Sequence, residues 1–235
     1  MNHHRKDHLQ TIKMAELIHL NPHFLHILAR LGVKLGFEDK NVEAVCSMHS
    51  INLGFFLSLA RLHLGGLANI EEPTSKQQLT QLIGYLKESH SYYLSIKLPQ
   101  LKLLIAAFAE TVERAPKELL NKFWTDYENE VREHMWYENN TIFPLVEQVV
   151  AGADARSKLG SFEQFEENHE DIAEALLDLK NLLIKYFPPT EKEEARRAIL
   201  LELFDLEADL KYHQEIENSL LVPMVKHYTQ QKITR

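Results

Sequence analysis

Two stretches decide the reading of this chain. His134-Met135-Trp136-Tyr137-Glu138-Asn139 is followed by Pro144, ten residues after the histidine. His213-Gln214-Glu215-Ile216-Glu217-Asn218 is followed by Pro223 at the same offset. The second copy lies 79 residues after the first. The same shift carries His90, in Glu88-Ser89-His90, onto His169, in Glu167-Asn168-His169. Each of these histidines precedes its His-x-x-x-Glu by 44 residues, so two helix pairs carry one polar set at one spacing.

The sequence around the repeats reads as helix. Apolar residues recur at three- and four-residue spacing, as in Leu119, Leu120, Phe123, Trp124, Tyr127 and Val131, and no stretch alternates as a strand would. Capping boxes open three helices at Ser75-Lys76-Gln77-Gln78, Ser161-Phe162-Glu163-Gln164 and Thr190-Glu191-Lys192-Glu193. Ala115-Pro116 opens a fourth. Gly152 and Phe187-Pro188-Pro189 mark stops. Pro99, Pro144 and Pro223 are expected to kink their helices or mark their last regular turns. Short connections favour an all-α fold, an up-down-up-down four-helix bundle over residues 71–235. Residues 1–70 form a small helical N-terminal domain, with Asn21-Pro22 starting one helix and Asp39 capping another. A core of some fifty residues (Thr11 to Leu64) is marginal alone, so this domain should lean on the bundle or on another chain.

Positions i and i+4 share a helix face, with Cβ atoms about 5–6 Å apart. The pairs His134/Glu138 and His213/Glu217, with His90 and His169, therefore converge if their faces point inward. Burying two ionised carboxylates costs several kcal/mol each unless cations compensate them. Four imidazole nitrogens, and four oxygens if both glutamates bridge, give four donors to each of two metals. A bridging oxo, hydroxo or water makes five and leaves one open position per metal. This donor set suits two non-haem iron ions, with manganese or zinc as substitutes. Only two of the thirteen histidines have Glu at i+4, and these two share the 79-residue shift. Glu130 and Asp209, each four residues before a ligand histidine, are candidates to hydrogen-bond those imidazoles. No catalytic residue is assigned. A metal-free duplicated bundle is the bland alternative.

Composition narrows the partners. The 235 residues carry a net charge of −8, which leaves no general nucleic-acid footprint. The charge is uneven, with a net of +2 over residues 1–70 and −10 over 71–235. Cys46 is the one cysteine, so internal disulfides and multi-cysteine zinc sites are excluded, and it reads as a small buried residue. The greasiest run, Leu53 to Ala68, is broken by Arg61 and His63 and makes a poor membrane span. A cytoplasmic protein without membrane contact is expected. His19, His23, His26, His49 and His63 read as surface or interface histidines, and Trp124, Trp136, Tyr92, Tyr93 and Phe143 as packing around the site.

These residues resemble the hemerythrin-like family over roughly Ser75 to Tyr228. Respiratory hemerythrins usually carry a further histidine four residues after the third-helix ligand and a final His-x-x-x-x-Asp; this chain has Ala173 and Asn218 there. The set His90, His134, Glu138, His169, His213 and Glu217 is instead similar to the repair-of-iron-centres proteins, di-iron proteins linked to nitrosative and oxidative stress. The resemblance implies that Glu138 and Glu217 bridge the irons. Met14-Ala15-Glu16-Leu17-Ile18, Asn21-Pro22 and Leu28-Ala29-Arg30-Leu31-Gly32-Val33 resemble the short domain preceding the bundle in that group. The usual Cys-Cys-Gly-Gly run is replaced by Lys34-Leu35-Gly36-Phe37-Glu38. The resemblance implies an iron protein that binds O2 or NO and serves iron-sulfur cluster repair. A sensor or adaptor, whose N-terminal domain binds a protein partner or a second copy, is the alternative. Glu138→Ala or Glu217→Ala is expected to remove metal while far-UV circular dichroism stays helical; a variant that keeps full iron content contradicts the bridging role.

Overall fold

The computed structural model describes residues 8–66, 74–153, 170–189 and 191–233. Among them all regular structure is helical, and the single extended contact is an isolated bridge between Lys13 and Asn41. Four short helices come first: α1 (Met14–Leu20), α2 (Phe24–Arg30), α3 (Val42–Met48) and α4 (Leu53–His63). Asparagines organise their starts. Asn41 Oδ1 accepts from the Ala44 N–H at 2.9 Å, and Asn52 Oδ1 accepts from the Phe55 N–H at 3.0 Å. Asn21 Oδ1 accepts from the His23 N–H at 3.0 Å just ahead of α2. Asp39 does not cap α3 as its sequence suggested. It pairs with Lys13 at 2.9 Å, in a turn entered through the positive φ of Glu38, and Asn41 takes the cap.

The long helices follow. They are α5 (Lys76–Tyr92) and α6 (Leu98–Ala109), α7 (Arg114–Tyr137) and α8 (Phe143–Ala151), α9 (Glu170–Asn181), and α10 (Glu193–Ile216) and α11 (Val222–Ile233). The expected capping box of α5 is formed. Gln78 N–H donates to Ser75 Oγ at 3.1 Å, and Ser75 N–H donates to Gln78 Oε1 at 2.8 Å. Helix α7 begins two residues before Pro116, whose missing N–H falls in the first turn where no intrahelical partner is needed. Gly152, with φ +110°, ends α8, and the Ala153 N–H closes back on Gln148 O at 2.9 Å. Ser161, Thr190 and His169 lie outside the described residues.

The prolines mark where regular α-helical turns give way, as expected. A single π turn precedes each of four of them: Tyr93–Lys97, Glu138–Ile142, Leu182–Tyr186 and Glu217–Leu221. In every case a proline, Pro99, Pro144, Pro188 or Pro223, stands six residues after the first residue of the turn. Proline offers no N–H and its ring collides with the carbonyl four residues back. The residue before it instead reaches back five, as Leu98 N–H to Tyr93 O, Phe143 N–H to Glu138 O, Phe187 N–H to Leu182 O and Val222 N–H to Glu217 O. This wider turn accommodates the proline. Three of the helices then run on as α6, α8 and α11, whereas Phe187-Pro188 ends its helix.

Two compact units emerge from the packing. One holds Met1–Ser89, Val146–Ala155 and Tyr212–Arg235. Its core takes Phe24, Ile27, Val45, Phe56 and Leu59 from the short helices and Leu82, Leu86, Val146 and Leu220 from the long ones. Asn52 N–H donates to Gln81 Oε1, and Gln81 Nε2 to Ser50 O, both at 2.8 Å, which ties the start of α4 to α5. Cys46 is buried in this unit, and burial pushes its thiol up to about 12, so it stays a thiol at neutral pH. His63 is an interface histidine rather than a surface one. It is buried, its Nδ1 donates to Leu59 O at 3.0 Å, and its ring stacks on Tyr212 at 4.3 Å.

The other unit holds His90–Leu145 and Arg156–Lys211. Its core draws on four helical segments, with Leu101, Ile105 and Phe108 on α6, Leu120, Trp124 and Val131 on α7, Leu176 and Leu179 on α9, and Ile199, Leu203 and Leu206 on α10. Trp136 points outward, 64% exposed, because it stands two residues from His134 on the opposite face of α7. Lys97 is buried and donates to Glu202 Oε2 at 2.7 Å and Asp205 Oδ2 at 2.6 Å. Burial opposes its charge, but the hydrogen bonds and attraction from Asp205 and Glu202 outweigh it and raise its pKa above the ordinary 10.5. A raised folded pKa stabilises below the unfolded value and loses that contribution as pH climbs through the folded one. Lys97→Met should cost about 1–2 kcal/mol at pH 8 in urea unfolding. That gap should shrink as the pH is taken above 10.5, and a gap independent of pH contradicts the pairing.

Candidate metal centre

The π turns place the glutamates. Glu138 opens the turn after α7 and Glu217 opens the turn after α10, so each carboxylate stands at the same structural position of its repeat. Both are wholly buried. His90 comes from α5, three residues before the π turn that begins at Tyr93, and is also buried.

Each Glu138 oxygen faces a different imidazole. Oε2 lies 3.0 Å from His90 Nε2, and Oε1 lies 3.0 Å from His134 Nε2. In the second repeat Glu217 Oε1 lies 3.2 Å from His213 Nε2. One donor atom from each of His90, Glu138, His213 and Glu217 lies within 4.8 Å of the other three. Two ligands bound at about 2.1 Å and at right angles around one metal stand about 3.0 Å apart, so these spacings match neighbouring positions of a coordination sphere.

Other contacts orient the set. His90 Nδ1 lies 3.1 Å from Asn139 Oδ1. The Phe143 ring, fully buried, stacks on the His90 ring at 5.2 Å. Phe143 thus packs against the site as expected, and the Tyr93 ring is fully buried.

The donors are chemically those of a metal centre. An oxygen of Asn139 accepts, so His90 Nδ1 is the ring nitrogen that carries a proton, and in the neutral ring Nε2 presents a lone pair. That lone pair and the Glu138 carboxylate are both electron-rich and face each other in a buried space. A positive charge between them satisfies both, and a divalent cation is one that imidazole and carboxylate donors suit.

Five of the six residues singled out by the repeat are described. His90, Glu138, His213 and Glu217 come together, and His134 meets the group through Glu138. His169 lies outside the described residues. Asp209, one turn before His213, is buried, whereas Glu130, one turn before His134, is exposed. Asn139 was not singled out from the sequence. Its signal was present, because both repeats continue Glu-Asn, at Glu138-Asn139 and Glu217-Asn218.

An all-helical chain with paired His-x-x-x-Glu motifs around a buried carboxylate is a cation-binding helical bundle. Residues 68–225 match the hemerythrin HHE cation-binding domain, and the chain belongs to that family. Among curated proteins it is similar to the iron-sulfur cluster repair protein YtfE of several bacteria. It is 31% identical over 134 residues to that of Pectobacterium carotovorum subsp. carotovorum (strain PC1), a span of 54% of this chain and 57% of the relative. It is 28% identical over 159 residues to that of Yersinia pseudotuberculosis serotype IB (strain PB1/+), covering 65% and 68%. With that of Edwardsiella ictaluri (strain 93-146) the identity is 35% over 94 residues, covering 40% and 41%. The matches thus span from about two fifths to two thirds of those proteins' lengths. No helix among the described residues is long and apolar enough to cross a membrane.

Proposed function

We propose that this chain holds two iron ions through His90, His134, Glu138, His169, His213 and Glu217, and that it serves iron-sulfur cluster repair under oxidative or nitrosative stress. The observation that carries the reading is the buried His90–Glu138–His213–Glu217 group. Its donors, imidazole and carboxylate without thiolate, suit iron over zinc of the structural type, with manganese or zinc as substitutes. The split of Glu138 between His90 and His134 supports a bridging role for that carboxylate, and the repeat extends the role to Glu217. Asp209 and Glu130 act as outer partners of the ligand imidazoles. Residues 1–70 act as a small helical region that leans on the metal-binding bundle of residues 71–235.

When bound, the iron pair supplies electrons and open coordination positions for a small diatomic ligand, O2 or NO. The chain's own residues do the rest. The two glutamates neutralise the ions, the imidazoles fix their positions, and the Phe143 ring packed on His90 keeps water from that side. The names of the similar YtfE proteins support repair as the use of this centre. Anaerobic reconstitution is expected to give two irons per chain, with oxo-bridged ferric absorption near the ultraviolet after exposure to air. Fewer than one iron per chain excludes the reading. Reaction of the reduced protein with NO, O2 and peroxide then identifies the ligand.

A second reading, an iron-responsive adaptor, has one observation behind it. Tyr212, next in sequence to His213, is stacked on His63 at 4.3 Å and lies 5.3 Å from His23, with ring tilt, so α2 and the end of α4 touch the ligand-bearing helix. Metal loading should then change amide exchange in Phe24–Arg30 and Leu53–His63. Unchanged exchange on loading removes this reading and leaves the first intact.

A further inference from the structure

We propose that Asn139 is a positioning residue, whose side-chain oxygen holds the Nδ1 proton of His90 and so turns the Nε2 lone pair toward Glu138, and that Asn218 holds the same place in the second repeat. The inference rests on His90 being a ligand. The geometry is direct. Asn139 Oδ1 and His90 Nδ1 are 3.1 Å apart, while the opposite ring nitrogen is 3.0 Å from Glu138 Oε2. An amide oxygen has no proton to give, so the bond forms only when the ring donates from Nδ1. The imidazole is thereby held at both ends by adjacent residues of one helix.

The π turn makes this adjacency usable. In a regular α-helix consecutive side chains diverge by about 100° around the axis, which would send Glu138 and Asn139 to different neighbours. A turn closed by an i→i+5 bond spreads its residues over a smaller angle per step. Glu138 and Asn139 are the first two residues of such a turn, and both reach the one ring. Glu217 and Asn218 are the first two residues of the matching turn. Asn218 Oδ1 is buried and meets no hydrogen-bond donor among the described residues. The 79-residue shift that relates Asn139 to Asn218 also relates His90 to His169 in the sequence. Burying an amide oxygen without a donor costs free energy, which argues for a donor at that place.

The test uses the full chain labelled with 15N-histidine and the variants Asn139→Ala and Asn139→Asp. In metal-free wild type, His90 Nδ1 is expected to show the shift of a protonated nitrogen. Asn139→Ala should move that signal toward the unprotonated position, and Asn139→Asp, which keeps an acceptor oxygen, should restore it. Binding of cobalt(II) alone, measured against a chelator, should weaken 10–100-fold in Asn139→Ala and recover in Asn139→Asp. Asn218→Ala should weaken it to a similar degree. A His90 Nδ1 that stays protonated in Asn139→Ala, or cobalt affinity within twofold of wild type, overturns the role. Wild-type protein that takes up no metal counts against the proposed function, while the nitrogen signal still decides on Asn139.

Discussion

The arrangement depends on one constraint: two glutamate side chains with no access to water must face imidazoles rather than solvent. A buried carboxylate is tolerable only when its charge is answered close by. Glu138 has an imidazole nitrogen 3.0 Å from each oxygen, and Glu217 has one at 3.2 Å. Much of the surrounding structure serves that requirement. The π turns set where the glutamates point, Asn139 sets which nitrogen of His90 faces them, and Phe143 closes the side of the ring that would otherwise be wet.

Charge elsewhere is handled in a different way. Lys97 is as buried as the ligands, but its partners Glu202 and Asp205 are half exposed, so the amine is neutralised at the protein's edge. Glu128 likewise has Lys102 and Arg132 at 3.0 and 2.8 Å, both partly in water. These groups carry their own counter-charges among the side chains. The histidine–glutamate group instead sets buried carboxylates directly against imidazoles.

The helical fold and the meeting of His90, Glu138, His213 and Glu217 were legible in the sequence because duplication wrote the signal twice. One His-x-x-x-Glu says little; two at a fixed shift, each with an upstream histidine at the same distance, single out side chains that converge. Helix starts were legible where the cap is local, as at Ser75 and Gln78. They were misread where two polar residues competed. Asp39 looks a good cap, but a lysine 26 positions away claims it, and the sequence does not show that contact. Whether His63 lay at a surface or an interface was not legible, because its partner, Tyr212, is distant in the chain. Asn139 is not legible as a partner of His90, because on an ideal helix the residue after Glu138 turns away. In the structure it stands in the π turn and reaches the His90 ring.

The pairing of each π turn with a proline six residues on has a further consequence for how such a protein can move. An inserted residue in a helix is in principle free to migrate, since neighbouring turns can exchange the extra hydrogen bond and pass the bulge along. Here the imino acid stops that traffic, because only one placement of the bulge relieves the ring. The three long helices that run on past their proline are thus each pinned in phase at one level. The side chains beside each turn, Glu138 and Glu217 among them, are held at a fixed rotation about their own helix.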